Sequence, residues 1–184
     1  MSNWLLMNTC YGTWLPGDAR GSVTSVRDRR PEDSNSVNRL EHSRFSTPFE
    51  PPRPGLESYA RARLKGPPVH LSRDHAERML IQFQETCRHR DWSLLAVAIM
   101  WNHFRIVIHG GDSPGTKLLT DLKAYASRAL NAAFGKPPSG TWWTMGGSRR
   151  WLPDDNAVFS TITYVVERQP NPLLVWQVET YSGR

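Results

Sequence analysis

The stretch "WSLLAVAIMWNHFRIVIHG", residues 92–110, decides how this chain folds. Its first half, through Met100, is a short apolar run of the kind a buried strand makes. Trp101-Asn102 follows as a turn and His103–His109 as a second strand, so a β-hairpin is expected. Strand side chains alternate, which puts His103, Arg105, Val107 and His109 on one face while Phe104 points the other way, into the core.

Upstream, "VHLSRDHAERMLIQFQETCRHRDW" (residues 69–92) reads as a helix, with Ser72 as N-cap and Ala76, Met79, Leu80, Phe83 and Cys87 at helical spacing. Downstream, "SPGTKLLTDLKAYASRALNAAFG" (residues 113–135) reads as another. Ser113 can cap it, Pro114 suits its first position and Gly135 can end it. Its apolar stripe is Leu118, Leu119, Leu122, Ala126, Ala129 and Ala133. A first strand is expected at Trp4–Tyr11. The order strand, helix, strand, strand, helix predicts an α+β ferredoxin-like sandwich, an antiparallel sheet with helices on one face.

The rest is less regular. Residues 22–68 are polar, arginine-rich and proline-punctuated, and are expected as a loop-rich insertion with one short helix near Leu56–Lys65. "TWWTMGGSRRWL" (residues 141–152) suggests a hairpin around Gly146-Gly147, followed by a helix near Asp155–Glu167 and a proline-broken tail. At 184 residues the chain is expected to form a single domain, 1–184, carrying that insertion.

Lys and Arg number 23 against 17 Asp and Glu, a formal net charge of +6 with pI ≈ 9.7, and there are eight tryptophans. Guanidinium groups meet phosphates and ring faces stack on unpaired bases, so this composition suits a nucleic-acid binder. A solvated basic surface over a tryptophan-rich core is the plainer alternative. The longest apolar run falls well short of the roughly 20 residues a membrane span needs. No signal peptide is expected, and Cys10 and Cys87 are expected as buried thiols in a cytoplasmic protein.

Positions i and i+2 of a strand lie about 6.6 Å apart, a spacing at which two histidines can hold one cation. After His103 that position is Arg105, whose guanidinium stays protonated and has no lone pair to give. His109 shares the face but lies about 20 Å away. On the second long helix Tyr125 sits about 60° from Leu122, at the border of the apolar stripe, flanked by Asp121 and Arg128. Two readings stay open for it: a packed ring with its hydroxyl in water, or a nucleophile aimed at the sheet.

"IMWNHFRIVI" (residues 99–108) resembles the "MPNHVH" hairpin of the single-tyrosine HUH transposases, especially the REP-associated tyrosine transposases, and "LKAYASRALN" (residues 122–131) resembles their tyrosine helix. "TCYGTWLPGDARG", "GTWWTMGGSRRWL" and "YVVERQPNPL" also resemble this family, so the likeness touches most of the chain outside residues 22–68. The resemblance implies the HUH endonuclease fold and a metal-dependent transesterase acting on single-stranded or hairpin DNA at repeat ends. A histidine pair would hold Mg²⁺ or Mn²⁺ on the scissile phosphate, and a tyrosine would attack to leave a 5′-phosphotyrosine and a free 3′-OH. Carried over, Tyr125 is the nucleophile and His103 the first metal ligand.

The chain departs from that pattern at Arg105, where the family has its second histidine, and at Trp101, where the turn has a proline. Either a cation is held through His103 and waters, or Arg105 itself contacts the phosphate; weakened nicking is expected. The main rival is a catalytically inactive DNA-binding descendant, such as a repressor or a relic of a mobile element. An RNA-binding module of the same topology is more distant, since its aromatic signature strands are missing. Further DNA contacts are expected from Arg128, from Arg149, Arg150 and Trp151 after the Gly-Gly turn, and from Tyr11, Trp14 and Arg20 in the first loop. Lys123 points about 160° away from Tyr125 on the wheel, towards solvent or a backbone phosphate. A homodimer is compatible with the sequence.

Overall fold

Seven residues of alternating side chains, Asn3–Thr9, form the first strand (β1), which pairs antiparallel with the second arm of the central hairpin. That hairpin consists of β2, Ser93–Ile99, and β3, His103–His109, closed where Met100 N–H donates to the His103 carbonyl at 2.8 Å. The computed structural model describes residues 2–20 and 52–179. Residues 1–13 with 65–184 make one compact unit and residues 14–64 another. Most of the insertion expected over about 22–68 lies outside the described residues.

The larger unit is an antiparallel five-stranded sheet in the order β4-β1-β3-β2-β5, where β4 is Ser148–Leu152 and β5 is Leu174–Gln177. The strand–helix–strand–strand–helix–strand order with strand sequence 4-1-3-2 is the ferredoxin-like sandwich, α+β as the hairpin and its flanking helices predict. The two crossover helices, α2 (Arg73–His89) and α3 (Gly115–Phe134), cover one face. Between them and the sheet lie Leu6, Val97, Ile99, Phe104, Ile106, Ile108, Met79, Phe83, Leu118 and Leu122, all essentially water-free. Each such side chain contributes about 1.5–3 kcal/mol by leaving water, so this layer is what holds the sheet.

A further helix, α4 (Asp155–Glu167), covers the other face, with Val158, Ile162 and Val165 on Leu95, Ala96, Ala98, Met100 and Val107. β2 serves both layers because its pairing with β3 slips between Leu94 and Ala96. That bulge turns Leu95 and Ala96 to the same side, and alternation resumes after it.

Four local expectations change. α3 starts at Gly115 after Pro114 rather than being capped by Ser113, whose Oγ instead accepts from the Trp92 indole at 3.3 Å. A Cβ at position 115 would lie 2.8 Å from the Trp4 ring, which is why glycine opens the helix. Ala133 is exposed, outside the packed stripe. Gly146-Gly147 does not join two paired strands. Its flanks both run along β1, Trp143 bridging Cys10 and Ser148 pairing with Met7. The proline-broken tail becomes β5, pairing along the outer edge of β2.

In the smaller unit α1 (Pro54–Ala62) lies against Gly17, whose carbonyl accepts from Arg53 N–H at 2.9 Å. Among the described residues no helix is long and apolar enough to cross a membrane.

Candidate nucleic-acid interface

Because β3 alternates, burying Phe104, Ile106 and Ile108 beneath α2 and α3 sends His103 and Arg105 to the α4 side. There the Arg105 guanidinium donates to the Tyr164 phenol oxygen, with its carbon 4.9 Å from the centre of that ring. Tyr164 stands on the last turns of α4, beside the inward-facing Val165, and is 39% exposed. The Arg105 Nε is buried with no hydrogen-bond acceptor. Met7 and Ala98 flank Arg105 on the neighbouring strands, and Thr9 stands opposite His103.

His103 Nδ1 lies 2.7 Å from Asn102 Oδ1. An amide oxygen can only accept, so in this arrangement Nδ1 carries a proton. Asn102 is itself buried, and its carbonyl accepts from Cys10 N–H at 2.7 Å, which fixes the hairpin tip. Trp101 at that tip is 47% exposed, its ring meeting His70 edge-on at 4.8 Å.

Tyr125 lies on the other side of the sheet, so the pairing of Tyr125 with His103 is not made. α3 is a crossover helix, and crossover helices pack on the Phe104 face. Tyr125 is half-buried between two guanidinium groups: Arg128 is 5.0 Å from its ring centre, and Arg90 is 5.9 Å away with a nitrogen 3.5 Å from the hydroxyl. Asp121 holds Arg90 at 3.2 Å and Lys117 at 2.8 Å. The sheet therefore stands between Tyr125 and His103. Among the described residues, the tyrosine that meets the His103 face is Tyr164. A signal for it was available in the sequence: the large apolar residues of β3 sit at its even positions, so both crossover helices must lie away from His103.

The three-residue clamp after Gly147 also comes apart. Arg149 is in register with Leu6 and Trp151 with Trp4, on the α3 side, while Arg150 is in register with Leu5 on the α4 side. Arg150 therefore shares a face with Arg105 two strands away. Trp151 is 56% exposed. Tyr11 holds the chain where it re-enters this unit, its hydroxyl accepting from Lys65 N–H at 2.7 Å. Within the smaller unit Arg20 grips Asp18 through Nε at 2.8 Å and a terminal nitrogen at 2.6 Å, and lies 4.7 Å over the Trp14 ring. The Arg20 guanidinium holds the Asp18 carboxyl below its usual range.

Lys123 is not a solvent lysine. Its ammonium donates to Asn8 Oδ1 at 3.1 Å, the Thr144 carbonyl at 3.1 Å and the Gly146 carbonyl at 2.8 Å. Burial, and secondarily the charge of Arg149, bring its pKa down to about 8. Cys10 and Cys87 are buried and unpaired, and burial raises both thiols, leaving them poor nucleophiles.

The described donors around His103 do not by themselves make a Mg²⁺ or Mn²⁺ site. Among the described residues they comprise the His103 imidazole, the Thr9 hydroxyl bonded to Thr144 at 2.8 Å, and the Arg105 guanidinium, which repels a cation. Among the described residues no three His, Cys, Asp or Glu side chains come together as a metal site.

No family model matches the chain, and no curated protein matches it. Among solved structures it is similar to a REP-associated tyrosine transposase bound to a REP hairpin, with a TM-score of 0.46 and 8% sequence identity. The match covers 89% of this chain and 64% of that one, so the chain spans less than two thirds of the length of that protein.

Proposed function

We propose that the protein is a transposase-like DNA-binding protein whose α4 side of the sheet receives single-stranded or hairpin DNA. The observation that carries this reading is the Arg105–Tyr164 pair on the face where the sequence motif sets His103. A guanidinium can grip a phosphate through two parallel hydrogen bonds, which a metal held by two histidines would otherwise do by charge. Arg150 adds a second cation on that face, and the exposed Trp101 ring at the hairpin tip is available to stack on a base. In this reading Arg105 has replaced the metal as phosphate holder, and the protein is a binding descendant rather than an efficient nickase.

A second reading, nicking by Tyr164, is favoured by the position of its phenol beside Arg105. Its oxygen would bond to phosphorus as the P–O3′ bond breaks, and the phenol proton would end on the 3′ oxygen. One experiment separates the two. A labelled single-stranded hairpin is incubated with Mn²⁺ and the wild type, Arg105→Ala, Arg105→His, Tyr164→Phe or Tyr125→Phe, then analysed for binding and for covalent adduct on a denaturing gel. The binding reading expects no adduct from wild type and a loss of affinity of about tenfold in Arg105→Ala, the worth of one charge-assisted hydrogen bond. It expects no change in Tyr125→Phe. An adduct that disappears only in Tyr164→Phe establishes nicking. Arg105→His, which sets two imidazoles at ligand spacing, is expected to raise any Mn²⁺-dependent adduct. Wild type that binds neither single strand nor hairpin removes both readings.

A further inference from the structure

We propose that a cleft on the opposite side of the sheet, between α3 and the Gly146–Gly147 bend, is a phosphate-binding site. Its volume is about 340 Å³, and its polar lining is Thr116, Thr120, Lys123, Ser127 and Arg149, without a carboxylate. Arg149 and the two threonine hydroxyls have no hydrogen-bond partner among the described residues. The Ser127 oxygen accepts from the Trp143 indole at 2.8 Å, which leaves its own hydrogen to donate. Every uncommitted polar group in the cleft is therefore a donor or a cation.

The lysine supplies charge rather than a contact. Its three acceptors hold the ammonium in place against Asn8 and the two carbonyls of the bend. Burial and the neighbouring Arg149 both disfavour its charged form, so the cleft holds two cations with no counter-charge. A phosphate group between them would relieve that repulsion and accept from Arg149 and the hydroxyls. A free phosphate ion and a phosphodiester of a nucleic-acid backbone offer the same chemistry. The site does not depend on the DNA face, because Arg149 is in register with the core-facing Leu6 while Arg105 points to α4.

The test is a titration of the full chain with inorganic phosphate at constant ionic strength, read from the Trp143 indole N–H signal and the Lys123 titration by NMR. Wild type is expected to give a saturable shift of the indole signal and an upward move of the Lys123 titration. Arg149→Gln, an exposed strand position whose fold is checked in the same spectra, should lose both, and Thr120→Val should weaken the binding severalfold. Arg88→Gln on exposed α2 and Arg105→Ala should leave the titration unchanged, so this site and the DNA face fail separately. A short single-stranded oligonucleotide is then added. Displacement of phosphate assigns the site to a nucleic-acid backbone, and retention assigns it to the free ion. No saturable shift, or an equal shift in Arg149→Gln, overturns the proposal.

Discussion

Arg105 is the residue on which the functional reading turns, and its chemistry makes it testable apart from its charge. A lysine there keeps the positive charge but loses the planar fork and the stacking on Tyr164. Arg105→Lys is therefore expected to bind single-stranded DNA several times more weakly than wild type with an unchanged dependence on salt. Arg105→Ala should lower the log–log salt slope by about 0.7, the release from one single-strand phosphate contact. Equilibrium binding across a salt series measures both, and a Lys variant that behaves as wild type would reduce Arg105 to a point charge. The chemistry at this position was legible in the sequence, since a guanidinium at ligand spacing from His103 cannot bind a metal. Its partner was harder to read. Tyr125 has a suitable place on its own helix, and only the choice between sheet faces rules it out. That choice was written in Phe104, Ile106 and Ile108, which draw the crossover helices to their side.

Helices α2 and α3 and the hairpin were readable because each carries its own periodicity and its own signals of start or stop. β4 was expected only as an arm of a hairpin around Gly146-Gly147, and β5 not as a strand, because their pairing comes from partners elsewhere in the chain. β4 is exposed at Ser148–Trp151 and finds its place by pairing with β1, and the apolar run of β5 follows directly on Pro170 and Pro172. α2 also carries a pH dependence that its sequence hides. Ser72 N–H donates to His75 Nδ1 at 3.0 Å, closing a capping box in which histidine takes the place of the usual Glu or Gln. The ring packs on Phe134 at 4.3 Å and Trp142 at 5.4 Å, and burial keeps its pKa below the ordinary 6.5 despite Asp74. A depressed folded-state pKa means that this stabilisation is complete above 6.5 and disappears as the pH falls through the folded value. Thermal melts from pH 7 down to pH 4.5 should show wild type losing about 1 kcal/mol, a cap's worth, more than His75→Gln, whose amide can accept the same hydrogen at any of these pH values. Parallel curves for the two proteins would mean that the box contributes nothing.

For the molecule as a whole, the sheet carries cations on both faces, Arg105 and Arg150 towards α4 and Lys123 and Arg149 towards α3, in a chain of net charge +6. Binding of DNA to such a surface is governed by counterion release, with each contacted phosphate of a single strand contributing about 0.7 to the slope of log affinity against log salt. A slope of about −1.4 to −2.1 is expected if the α4 face engages single-stranded DNA with two or three phosphates. Charge alone would favour duplex, which carries more phosphates per unit length. The exposed ring of Trp101 acts the other way, because it can stack only on bases already free of a partner strand. Stacking is worth about 1–3 kcal/mol per base, enough to offset the charge advantage of duplex at moderate salt. Competition at about physiological salt should therefore rank a single strand or a hairpin with an unpaired flank above perfect duplex of equal length. Raising the salt should widen that gap, since phosphate contacts are screened and stacking is not. Trp101→Ala should narrow the gap without altering the slope. Preference for perfect duplex at every salt concentration would mean that Trp101 serves only the fold, and that the positive charge is all the protein offers to nucleic acid.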